Sequence, residues 1–111
     1  MTRPLYSRPF IRAKGLTGDG DTVLVPDGYY YVVRTVTMYA NAGPFTFTCW
    51  LKHLSTDSVL LFKQWLPGDR TGIVFDVHIA FTNTESFRFE VRGVAGDGVD
   101  VFAGGYQLLN P

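Results

Sequence analysis

Apolar residues recur at every second position through most of this chain and almost nowhere at the three-to-four spacing of an amphipathic helix. Ile73, Phe75, Val77, Ile79 and Phe81 share one parity, while Val74, Asp76, His78 and Ala80 share the other. Successive side chains of a strand leave opposite faces, so this pattern specifies a strand with one face in a core. Phe45, Phe47, Cys49 and Leu51 repeat it, with Trp50 and Lys52 on the opposite parity. Phe87, Phe89 and Val91 do so again, with Arg88, Glu90 and Arg92 outward. The expected core therefore contains Phe45, Phe47, Leu51, Ile73, Phe75, Val77, Ile79, Phe87, Phe89 and Val91.

The run from Tyr29 to Ala40 is rich in Tyr, Val and Thr, but Arg34 falls on the parity of Val32, Val36 and Met38. A bulge that resets the register accounts for it better than a buried arginine. Val59 to Leu66 and Val99 to Leu109 supply the later strands. Thr22 to Val25 is short and ends at Pro26, as an edge or strand end does. Leu5 to Lys14 is interrupted by Pro9, which confines it to an edge strand or an arm.

Turn residues separate these runs. They are Gly18-Asp19-Gly20-Asp21, Pro26-Asp27-Gly28, Asn41-Ala42-Gly43-Pro44, Ser55-Thr56-Asp57-Ser58, Pro67-Gly68-Asp69, Thr82-Asn83-Thr84-Glu85 and Gly96-Asp97-Gly98. Short strands with such punctuation suggest a sandwich or barrel, and the expected fold is an all-β, two-sheet antiparallel sandwich, jelly-roll-like, of seven or eight strands. The 111 residues make one domain, divided as an N-terminal arm or edge strand over 1–14 and a sandwich over 15–111.

Ten basic residues balance ten acidic ones. Phosphate neutralisation needs a basic excess, so nucleic acid is not an expected partner. Zero net charge removes repulsion between copies and suits an assembly. A single cysteine rules out an internal disulfide framework. No segment has the length of apolar residues that spans a bilayer as a helix, so membrane insertion is not expected. Met1-Thr2-Arg3-Pro4 lacks the apolar stretch of a signal peptide, and the expectation is a soluble chain made in a cytoplasm.

Catalytic residue types are sparse. Cys49 lies on the apolar parity of its strand, where a free thiol serves as a small hydrophobe. His53 ends that strand and His78 occupies the polar face of another, so both are expected to face solvent or an interface. A zinc site needs three or four ligands, and nothing supplies the rest. Asp19, Asp21, Asp97 and Asp100 form two Gly-Asp clusters, where a surface calcium site is the functional alternative to tight-turn chemistry. No catalytic residue, metal or cofactor is expected.

The aromatics carry more signal. Tyr29, Tyr30 and Tyr31 are consecutive and cannot all enter one face. Trp50 lies on the parity opposite to Phe47 and Cys49, and Trp65 on the parity opposite to Leu60, Phe62 and Leu66. Exposed aromatics serve protein interfaces and sugar platforms. The arm adds Arg3, Arg8, Arg12 and Lys14 without an acidic residue. The expected interface thus comprises Arg3, Arg8, Arg12, Lys14, Tyr29, Tyr30, Trp50 and Trp65, with a homo-oligomer, a trimer by preference, as its product.

From Val25 onward the chain resembles a family of small virion proteins encoded in the tail and structural modules of phages, especially those of actinobacteria, often described as minor tail proteins. The motifs are the Val25-Pro26-Asp27-Gly28 turn before a Val-rich strand ending in Asn41, then Leu60-Leu61-Phe62 leading to Leu66-Pro67-Gly68. The closing segment is Val99-Asp100-Val101-Phe102-Ala103-Gly104-Gly105-Tyr106-Gln107-Leu108. The chain departs from the family where a Trp and a Pro-Gly-acid turn usually precede the penultimate strand; Phe81-Thr82-Asn83-Thr84-Glu85-Ser86-Phe87 stands there. The resemblance implies a non-enzymatic bacteriophage structural protein located in the virion. A minor tail or tail-tip role in assembly or host attachment comes first, with a capsid decoration protein and a carbohydrate-binding module as alternatives. The implied partners are other copies of the chain, other virion proteins and a host-surface glycan.

Overall fold

The computed structural model describes residues 7–93 and 96–109. Eight strands follow in order: β1 (Ser7–Leu16), β2 (Val23–Leu24), β3 (Tyr29–Asn41), β4 (Phe47–His53), β5 (Ser58–Trp65), β6 (Arg70–Phe81), β7 (Ser86–Gly93) and β8 (Val99–Leu109). They form two four-stranded antiparallel sheets, β1-β8-β3-β6 and β2-β7-β4-β5. Every connection crosses from one sheet to the other except the β4–β5 hairpin. That alternation is the jelly-roll topology, two interlocked Greek keys. Each turn cluster read from the sequence falls at a junction between two strands, with Asn41 closing β3 and Ser58 opening β5.

Alternation sets the faces. On β4 the buried residues are Phe47, Cys49, Leu51 and His53; on β7 they include Phe87, Phe89 and Val91. Phe47 stacks on Trp65 at 5.1 Å and Phe81 on Phe87 at 4.2 Å. Such pairs add to the stabilisation that burial of their area provides. From the other sheet come Val33, Val36, Met38, Val99, Val101 and Ala103.

Two core expectations change. Phe47, Leu51, Phe87, Phe89 and Val91 are buried, but Phe45, Ile73, Phe75, Val77 and Ile79 are only half-buried. The last four lie on β6, which ends its sheet, so nothing covers their flank. On β5 the faces are the reverse of those expected. Trp65 is fully buried and Phe62 is 60% exposed. Apolar residues occupy both parities of β5, so alternation alone leaves its orientation open; the indole wins because it stacks on Phe47 and donates to the Thr71 carbonyl at 3.0 Å.

The β3 irregularity is a bulge. Val33 pairs with Gly105 and Thr35 with Gly104, which leaves Arg34 as the extra residue. Arg34 is exposed, and its Nε donates to the Val77 carbonyl at 2.8 Å. The register shifts across the whole sheet here, between Pro9 and Ile11 on β1 and between Asp76 and Ile79 on β6. A bulge bends its strand and raises the local twist, so these shifts crease the sheet along one line. Glycine at 105 is a condition of the crease. A Cβ there would lie 1.9 Å from the Val32 carbonyl oxygen.

Candidate functional site

Residues 7–14 belong to the sandwich. β1 pairs with β8 from Ser7 to Leu16, and Ile11 is 9% exposed in the core. Of the two alternatives for 1–14, the edge strand holds for this part; Arg3 lies outside the described residues. The remaining basic residues are laid along the edge. Arg8 is exposed, with its guanidinium 5.5 Å from the Phe10 ring centre and 5.6 Å from that of Tyr31, and it donates to Gln107 Oε1 at 2.7 Å. Arg12 lies 5.6 Å over Phe102 on the outer face, and Lys14 is exposed. Arg8 and Arg12 are snorkelling cations on aromatic rings, each contributing modestly at an exposed site.

The aromatics do not gather into one surface. Tyr29 and Tyr30 are half-buried at the start of β3, opposite Leu109 and Leu108. Trp65 reaches no surface in the isolated chain, which removes it from the expected interface set. Trp50 is half-buried on the outer face of β4, paired with exposed Phe62 on one side and Glu90 on the other.

Around Trp50 the structure assembles a cluster that the sequence did not single out. Glu90 is 3% exposed on the outward-facing parity of β7. Arg88 reaches it with Nη2 at 2.7 Å and Nε at 2.8 Å, Arg92 at 3.2 Å and Lys52 at 3.7 Å. Asp19, from the β1–β2 crossing, meets Arg92 at 2.7 Å and Arg88 at 3.1 Å. The hydrogen bond from Arg92 and the nearby Arg88 charge hold the Asp19 carboxyl below its usual range. Lys52 also meets Asp57 at 2.7 Å, and that bond raises the ammonium pKa. Trp50, Lys52, Val59, Glu90 and Arg92 line a shallow depression of about 220 Å3. The alternation Arg88-Phe89-Glu90-Val91-Arg92 places the three charges on one face, but only the loop carrying Asp19 closes the network over Glu90.

His53 is buried rather than solvent-facing. Its Nε2 lies 2.7 Å from Glu85 Oε2, its Nδ1 accepts the Thr56 N–H at 3.3 Å, and its ring tilts against Phe81. Both ring nitrogens are engaged, and the residue ties the β4–β5 turn to the β6–β7 turn. The Glu85 carboxyl is held low, first by the Thr82 backbone N–H and then by the Thr82 hydroxyl. His78 is exposed. Cys49 is fully buried, and burial pushes its thiol up to about 12. A thiol so shielded is protonated and inert.

Two of the four aspartates in the Gly-Asp clusters are used structurally. Asp19 is committed to the arginines, and Asp100 Oδ1 accepts the Gly15 N–H at 3.0 Å. Among the described residues no three His, Cys, Asp or Glu side chains converge as metal ligands. Compared with known proteins, the chain matches no family model, and no curated protein is significantly similar to it.

Proposed function

We propose that the chain is a non-enzymatic, self-associating structural subunit of a bacteriophage particle, with a minor tail or tail-tip position as the first reading. One observation carries it. The motifs behind the phage resemblance occupy the framework of a single eight-stranded jelly roll. Val25-Pro26-Asp27-Gly28 is the turn into β3, Leu66-Pro67-Gly68 the turn out of β5, and the Val99–Leu108 motif lies within β8. Its titratable residues support the same reading, because Glu90, Asp19, His53 and Glu85 are spent on holding loops to sheets. Immunogold labelling of particles that encode the chain tests the proposal. Label on the tail is expected; label on the head would favour a capsid decoration protein, and particles free of the chain would overturn the structural role.

Trp50 beside Phe62 and the charged depression favours the carbohydrate-binding alternative. Aromatic faces flanked by polar groups suit sugar rings. Retention on host cell-wall glycan that Trp50→Ala abolishes would establish it, and no retention would remove it.

A further inference from the structure

The four sheet edges are not alike. β1 carries Arg8, Pro9, Arg12 and Lys14. Lysine and proline on an edge discourage the addition of another strand. β2 has two residues and stops before Pro26. β5 bears Lys63 and a register shift beside Leu60. β6 runs for twelve residues with neither proline nor lysine, and from Arg70 to Asp76 it pairs with β3 without a break in register. Its outer face there presents Arg70, Gly72, Val74 and Asp76, all exposed. Val74 is 69% exposed, and Arg70 and Asp76 join no ion pair among the described residues. A long edge of this kind is a template for a further strand.

We propose that two copies of the chain join through β6, antiparallel about a two-fold axis at Ile73. The inference rests on the reading of the chain as a self-associating structural subunit and names the surface used. A two-fold interface brings the same patch of both copies together. With the axis at Ile73, Arg70 of each copy faces Asp76 of the other, and both charge pairs form. Val74 faces Gly72, where the absence of a side chain leaves room. Tyr39, 47% exposed, leans over Gly72, so close that a Cβ there would lie 3.1 Å from its ring. The incoming Val74 therefore packs on that ring. On the inner face Ile73 meets its own copy and Phe75 meets Thr71, extending cover over two half-buried apolar residues. The Thr71 carbonyl already accepts the Trp65 indole and keeps its second lone pair for the ladder. An axis at Phe75 would set Val74 against Asp76 and lose both charge pairs, so the charges select the register. The result is a dimer with a continuous sheet across it, where the arm-based expectation favoured a trimer.

Sedimentation velocity of the full chain over a wide concentration range tests this, with circular dichroism to show that each variant is folded. The wild type should dimerise. Asp76→Arg places like charges opposite one another twice and should raise the dimer Kd by about ten-fold or more. Val74→Lys should do the same by charging the edge. Arg70→Asp combined with Asp76→Arg swaps the pairs and should restore most of the association. A wild type monomeric throughout would overturn the proposal and leave the edge to a strand of another protein. Association unchanged in folded Asp76→Arg and Val74→Lys, or unrestored in the swap, would overturn it as well. Particle labelling is independent: a dimer missing from particles sinks the virion reading and leaves this one standing.

Discussion

At the β1–β2 rim Phe10 stacks on Tyr31 at 4.4 Å and meets Phe87 edge-on, whereas at the β5–β6 rim Leu60, Leu61, Ile73 and Phe75 remain half-buried with nothing beyond them. The first rim is also closed by its crossing. The Gly20 N–H donates to the Phe89 carbonyl and the Val91 N–H to the Gly18 carbonyl, while Asp19 clasps Arg88 and Arg92. A cleft of about 190 Å3 remains between Ile11, Leu16 and Val23. Among the described residues, only the Trp65–Thr71 hydrogen bond joins the two strands of the second rim by side chain. Of the exposed large apolar side chains, Val59, Phe62, Leu66 and Val74 belong to β5, β6 and the turn between them. Both rims come from the same alternating pattern. What differs is the residue placed at the edge: three cations and a proline on β1, and on β6 an exposed valine and glycine between one cation and one carboxylate.

Removing the closed rim should have the largest effect. Deleting residues 2–14 takes away most of β1, including Phe10 and Ile11, and uncovers Val101 and Ala103. Each fully buried large apolar side chain contributes about 1.5–3 kcal/mol, against a total stability of about 5–15 kcal/mol for a domain. The truncated chain is expected to lose its β-sheet circular dichroism, contrary to what a detached arm would allow. A cooperative melt in the truncated protein would show that β1 is dispensable and that the rims are more alike than their contacts indicate.

Gly105→Ala comes next, because it strikes the crease that both rims share. The new methyl would meet the Val32 carbonyl, a backbone atom held in the ladder that cannot swing aside. Overpacking usually costs about 1–3 kcal/mol, and a backbone clash belongs at or above the top of that range. Urea titration of the variant should show a midpoint lowered accordingly; an unchanged midpoint would mean that the bulge at Arg34 relaxes freely.

The positions of the strands were legible in the sequence, and their neighbours were not. Val99–Leu109 and Tyr29–Asn41 are bounded by Gly98, Gly28 and the Asn41-Ala42-Gly43 turn, so punctuation marks them. Arg34 on an apolar parity announced the bulge. Alternation states which side chains share a face, but it carries no record of which strand lies at an edge. Ile73, Phe75, Val77 and Ile79 therefore read like core residues and stand at a rim. β5 is apolar on both parities, so Leu60, Phe62 and Leu66 read as its inner face and Trp65 as outward, the reverse of the structure. The Glu90 cluster was hidden for a related reason, since its closing partner Asp19 comes from a loop distant in sequence.

Phe10→Ala and Phe75→Ala compare the rims directly. Both rings are half-buried, so each loss is less than the 3–5 kcal/mol of a fully buried phenylalanine. Phe10 has Tyr31, Phe87 and Arg8 around it, and about 2 kcal/mol is expected at any protein concentration. Phe75 should cost about 1 kcal/mol in dilute protein and more in concentrated protein, where the second copy of the proposed dimer would cover it. Melting midpoints at two concentrations decide between these. If both losses are equally independent of concentration, the β5–β6 rim is a finished surface.

The smallest effect separates the rims by pH. Asp19 fastens the β1–β2 crossing, and the Arg92 hydrogen bond and the Arg88 charge hold its carboxyl below the usual carboxylate range. A carboxyl with a depressed folded pKa stabilises the fold above its unfolded pKa and loses that contribution as pH falls through the folded value. The crossing should therefore loosen below about pH 3.8, while among the described residues no ion pair ties β5 to β6. Because Asp19 and Arg92 are both well exposed, salt should weaken the tie even at neutral pH. Amide hydrogen exchange at Gly20 and Val91, whose N–H groups bond across this junction, reports it locally. In the wild type their protection should fall on acidification beyond the intrinsic change of the exchange rate. In Asp19→Asn it should be lower already at neutral pH and show no further acid step. An acid step of the same size in that variant would assign the loosening to another carboxylate and leave the clasp without a part in closing the rim.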